Sequence, residues 1–133
     1  MTMRRFFATW WPTLTVVCVI LYATLNDNPI GADELPIFPG ADKLIHAIMF
    51  GGLFAAITFD RYRDGRGMAL KSLLITAGIC IVCGALDEVC QSLLTAAREG
   101  DPLDFLADCG GIIIAFFAAP PAIRAVLKNK GRH

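Results

Sequence analysis

Four long apolar runs, separated by short polar stretches, set the plan of this chain. They predict helices at about 6–25, 43–59, 71–94 and 103–121, near the ~20 residues that cross a ~30 Å hydrocarbon core. The second and fourth runs reach that length only with flanking polar residues. The segment 26–41 holds Pro29, Pro36, Pro39, Gly31 and Gly40, which predicts an extended, turning loop. Asp42 follows it where a helix N-cap is expected. The segment 60–67 predicts a tight turn in which Asp60 and Asp64 pair with Arg61, Arg63 and Arg66. A third connection runs from Arg98 to Pro102, with Pro102 tolerated in the first turn of the last helix. Pro120 and Pro121 are expected to end or kink that helix, leaving a basic tail over 122–133.

Polar residues interrupt the runs in a pattern. Asp42, Lys43 and His46 share one face at the start of the second helix, since residues three and four apart are neighbours on a helix. Glu88 and Gln91 project together near the end of the third, whereas Asp87 is expected to be rotated away. Asp104 and Asp108 stand one turn apart at the start of the fourth. Alternating helix directions bring all of these to one end of a bundle. Gly51-Gly52 and Gly110-Gly111 remove side-chain bulk where helices approach closely.

Composition fixes the class. The 133 residues are 56% hydrophobic, above the roughly 45–50% of soluble domains, so the chain reads as one all-α membrane domain with four transmembrane helices. The basic residues Arg4 and Arg5 precede the first run, which is long for a signal peptide and lacks a clean cleavage site, so an uncleaved first helix is expected. Formal net charge is zero, yet threading the runs in turn puts ten Lys and Arg residues on one side and only Lys43 and Arg98 on the other. The richer side is cytoplasmic by the positive-inside rule. Both termini are therefore expected in the cytoplasm and the polar cluster at the outer face of a bacterial-type cytoplasmic membrane. Cys18, Cys80, Cys83, Cys90 and Cys109 all lie within apolar runs and read as packing residues. The basic residues follow topology and form no soluble face, which argues against nucleic acid.

Charged groups this deep in apolar sequence mark a functional site by default. Its candidate binding residues are Lys43, His46, Glu88, Gln91, Arg98, Asp101, Asp104 and Asp108. Candidates for acid–base or charge-stabilising chemistry are His46, Glu88, Arg98 and Asp104, with Arg98 as the expected pivot. Asp104 and Asp108 are the candidates for holding a metal. No cofactor is required by the sequence, and a divalent cation is compatible with it.

These residues also carry a resemblance. Asp42-Lys43-x-x-His46, Glu88-x-x-Gln91 and Arg98-x-x-Asp101-x-x-Asp104-x-x-x-Asp108-x-x-Gly111, in that order, are similar to the VanZ-like family, membrane proteins named for a teicoplanin-resistance accessory factor. The resemblance covers residues 42 to about 117. Where the family usually has Asn, this chain has Asp108, which as a carboxylate accepts hydrogen bonds but cannot donate them. The end of a CDP-alcohol phosphotransferase signature also occurs, Gly100-x-x-x-Asp104-x-x-x-Asp108, but the signature's earlier aspartates do not. The VanZ-like resemblance implies a cell-envelope role. The chemistry of the cluster suggests binding of a lipid head group or peptidoglycan precursor, with Lys43 and Arg98 on anionic groups and Gln91 and the acids on hydroxyls or amines. The alternatives are a membrane enzyme acting on a lipid-linked substrate and a structural scaffold latched by ion pairs.

Overall fold

The computed structural model describes residues 2–26, 38–96 and 100–130. All regular structure among them is helical: α1 (Met3–Leu25), α2 (Ala41–Arg63), α3 (Leu70–Leu94) and α4 (Pro102–Lys130). Each is long and apolar enough to cross a membrane. The expected all-α plan of four spanning helices is therefore present.

The bundle is apolar on its outside as well as its inside. Leu86, Val89 and Leu93 on α3 and Ile113, Ile114 and Phe117 on α4 are exposed, while Phe50, Leu53, Phe54, Ile57 and Ile112 form the core. An exterior of this kind suits hydrocarbon, not water. Helix α2 packs against the other three, whereas α1 and α4 do not pack on each other among the described residues. Directions alternate along the chain. The end of α1 meets the end of α3 at Thr24 and Asp87, and the start of α2 meets the start of α4 at His46 and Asp108. At the opposite end, Arg61 on α2 donates to the Ser72 hydroxyl at the start of α3.

Close approach of α2 and α4 depends on two glycines. A Cβ added to Gly111 would fall on the carbonyl oxygen of Ala47, and one added to Gly51 would come within 2.9 Å of the Gly111 carbonyl oxygen. Gly52 and Gly110 face open space. One glycine of each expected pair thus makes the contact, and it lies one residue from His46 and three from Asp108.

Several local expectations are corrected. Asp42 is not the N-cap of α2. Gly40 holds that position at φ 84°, a left-handed turn that glycine adopts without steric cost, and Asp42 lies within the first turn. Pro120 and Pro121 do not end α4, which continues to Lys130 through most of the expected tail. Two prolines remove only two amide donors from the ladder, and buried Ala119 and Ile123 flank them on the packed side. Asp60 does not pair with the neighbouring arginines. It is wholly buried and accepts from the backbone amide and hydroxyl of Thr13 on α1 at 3.0 and 2.6 Å. Thr13 follows Pro12, whose ring disturbs the preceding turn, so the amide finds its partner on another helix. Asp64 does pair with Arg66, at 3.1 Å.

Candidate functional site

Asp101 organises the entry to α4. Its Oδ1 accepts from the Leu103 amide at 2.9 Å, so it caps the helix immediately before Pro102 at the first helical position. Its own amide donates to Glu88 Oε2 at 2.9 Å, tying the end of α3 to the start of α4. The Leu103 amide first, and then Lys43, hold the Asp101 carboxyl below the ordinary carboxylate range.

Lys43 closes this end of the bundle. Its ammonium donates to Asp42 Oδ2 and Asp101 Oδ2 at 3.1 Å and to Asp104 Oδ1 at 3.0 Å. An ammonium has three N–H donors, and all three are used. The expected role of Lys43 in holding an anionic ligand is therefore already taken by three carboxylates. Arg98, the expected pivot, lies outside the described residues.

Beneath Lys43 sits His46, with Asp108 buried beside it. His46 Nδ1 is 3.0 Å from Asp108 Oδ1 and 3.9 Å from Glu88 Oε1, and Nε2 is 3.9 Å from Asp104 Oδ2. The contact with an ionised Asp108 requires the proton to be on Nδ1, because two acceptors cannot bond each other. Glu88 Oε1 and Asp108 Oδ2 are buried and have no hydrogen-bond partner among the described residues. Asp108 Oδ2 lies against α3 at Gly84, where a Cβ would approach to 3.1 Å. Glycine there leaves room for the carboxylate, one turn before Asp87 and Glu88.

Asp87 departs from its expected outward rotation. Instead of turning away, it is buried, bonded to the Thr24 hydroxyl of α1 at 2.7 Å and to Gln91 Nε2 at 3.0 Å. Gln91 and Asp87 stand four apart, so Gln91 pairs along its own helix while Glu88 reaches Asp101. The helical spacing of Asp87 and Gln91, with a lone Thr24 in the apolar end of α1, was the signal that could have found this arm.

Of the candidates, Lys43, His46, Glu88, Asp101, Asp104 and Asp108 converge, and Gln91 joins them through Asp87. Two openings lead toward this cluster from the sides of the bundle. One, of about 280 Å³ between α3 and α4, is lined by Ala85, Glu88, Val89, Ser92, Gly100, Pro102 and Phe105. The other, of about 200 Å³ between α1, α2 and α3, has walls that include Val17, Ile20, Phe50 and Leu86 and reaches Asp87. Six carboxylates, from Asp42, Asp87, Glu88, Asp101, Asp104 and Asp108, thus surround one fixed cation and one imidazole among the described residues. Such a field favours cations and hydrogen-bond donors over free anions. The chain matches no family model, no curated protein and no solved structure.

Proposed function

We propose that this protein is a multi-pass protein of a bacterial-type cytoplasmic membrane. Its acid–histidine cluster lies at the outer face and binds the polar head of a membrane lipid or lipid-linked cell-wall precursor. The observation that carries this reading is Glu88, which lines a largely apolar opening between α3 and α4 and keeps Oε1 buried without a partner among the described residues. An opening of that kind suits an alkyl chain beside a head bearing hydroxyl or amine donors. The VanZ-like resemblance, carried by the same residues, supports a cell-envelope role of the glycopeptide-resistance type. The excess of basic residues at the other end supports the orientation.

Purification of wild type and Glu88→Gln in native lipid, followed by mass spectrometry of co-purifying lipid, tests the proposal. A specific lipid enriched with wild type and lost from a folded Glu88→Gln is the expected result. Identical lipid profiles would overturn it.

A second reading, an enzyme acting on a lipid-linked substrate, draws on the His46–Asp108 pair. A carboxylate that fixes one imidazole nitrogen leaves the other to move a proton. Conversion of the bound lipid by wild type but not by a folded His46→Gln would select it.

A further inference from the structure

We propose that His46, Asp87 and Glu88, with Asp108 beside them, form a binding site for one divalent transition-metal ion. It rests on the reading of this cluster as a ligand site. The ion, however, is a distinct ligand, and its atoms are specified by geometry.

One ligand atom from each of His46, Asp87 and Glu88 lies within 4.8 Å of the others. Around an ion with bonds of ~2.1 Å, ligand atoms stand ~3 Å apart at right angles and ~4.2 Å apart when opposed. Small side-chain rotations would close the difference. His46 Nδ1 and Asp108 Oδ1, 3.0 Å apart, have the separation of adjacent ligands once the ion replaces the Nδ1 proton, which is released on binding.

Acidic residues alone would not make a site, since Lys43 shows that carboxylates here can be satisfied by an ammonium. The independent observation is that Asp108, 0% exposed, keeps Oδ2 without a partner among the described residues. That oxygen faces α3 at Gly84, below Asp87 and Glu88. Glu88 Oε1, 3.9 Å from His46 Nδ1, is also buried and unpartnered. Buried acceptors left unmade are costly, and Lys43 has no donor left for them. A cation held by Glu88 Oε1 and His46 would satisfy the first of these oxygens and offset the charge of the Asp108 carboxylate that carries the second.

Asp87 has the surroundings of a ligand held from behind. Thr24 and Gln91 fix its carboxylate from outside the cluster, as outer hydrogen bonds orient metal-bound carboxylates. An imidazole with carboxylates and no thiolate suits Mn(II), Fe(II) or Zn(II) better than Mg(II) or Ca(II), which prefer all-oxygen sets. The ion would also supply positive charge that the described cluster lacks for a phosphate-bearing lipid head.

The full chain in lipid nanodiscs, stripped with chelator and desalted, is titrated with Mn(II) and followed by the loss of the free-ion paramagnetic resonance signal. Zn(II) serves as competitor. Wild type should bind one ion per chain and unfold at a higher temperature with it. Glu88→Gln retains an acceptor for the Asp101 amide and should fold; it should bind at least about tenfold more weakly, with its metal-free unfolding temperature unchanged or raised. Asp108→Asn tests the same point from α4. Asp64→Asn, at the opposite end, should bind as wild type does. A folded wild type that takes up no stoichiometric ion, or a Glu88→Gln that binds equally well, overturns the proposal. Ion binding without any specific co-purifying lipid sinks the lipid reading and leaves this site standing, and lipid retained by a chain that binds no ion does the reverse.

Discussion

His46 Nδ1 stands 3.0 Å from Asp108 Oδ1, and that pair joins α2 to α4 just beyond the place where Gly111 lies on the backbone of Ala47. The polar pair and the glycine contact are parts of one junction, because a change in the helix separation moves both. Asp108→Asn retains an oxygen acceptor for the Nδ1 proton and should fold with nearly wild-type stability. Asp108→Leu strands the imidazole donor, a loss of about 1–3 kcal/mol. Thermal unfolding in nanodiscs distinguishes the two, and equal stability of both variants would show that the pair contributes nothing.

The glycines give a sharper packing prediction. Gly111→Ala inserts a methyl group against the Ala47 carbonyl, and overpacking of this kind costs about 1–3 kcal/mol. Gly110→Ala, directed at open space, should be neutral. A Gly111→Ala protein as stable as Gly110→Ala would mean that the helices separate easily at this level.

The four helices were legible because hydrophobic run length is read directly by a bilayer, and spacing rules put His46, Glu88, Asp104 and Asp108 at one end. What spacing left open was rotation. Helix α3 is apolar almost all round, so its own sequence does not say which face is inside, and Asp87 looked turned away until Thr24 of α1 stood opposite it. Pro120 and Pro121 misled for a related reason: proline chemistry is local, whereas the burial of Ala119 and Ile123 depends on neighbouring helices.

At the far end of α2, Asp60 serves α1. Asp60→Ala should destabilise the protein, since it leaves the Thr13 amide and hydroxyl beside Pro12 without their acceptor. Pro12→Ala should recover part of the loss by restoring the amide donor that proline lacks and relaxing the turn that leads into Thr13. A double-mutant cycle measures the coupling. Strictly additive effects would show that the proline and the aspartate act separately.

Orientation is tested by labelling. A cysteine at Asp33, in the segment that precedes α2 in the sequence, should react with an impermeant thiol reagent from outside intact cells, and one at Gly65 should not. Compared with the native cysteines alone, the reverse pattern would move the acid–histidine cluster to the cytoplasmic face and end the envelope reading.

The last prediction separates the roles of Lys43 and Arg98. Lys43 neutralises Asp42, Asp101 and Asp104 at once, so Lys43→Met should lower the unfolding temperature by leaving three carboxylates to repel one another. Asp104→Asn, which removes the least exposed of the three charges, should restore part of it. The Asp101 part of this contribution has a definite pH dependence. Its carboxyl titrates lower in the folded protein than in the unfolded chain, held there first by the Leu103 amide and then by Lys43, and Lys43→Met removes only the second share. The stability it supplies is thus fully present above the unfolded value of about 3.9 and fades as pH falls through the lowered folded value. The gap between wild type and Lys43→Met should accordingly persist at pH 5 and narrow only in stronger acid. With Lys43 committed to the fold, Arg98 is the only other fixed cation expected on that side of the membrane. Arg98→Lys keeps the charge but loses the planar, two-pronged donor. If it unfolds at the wild-type temperature yet loses the co-purifying lipid, Arg98 touches the ligand. If stability and lipid fall together, Arg98 is a second latch beside Lys43.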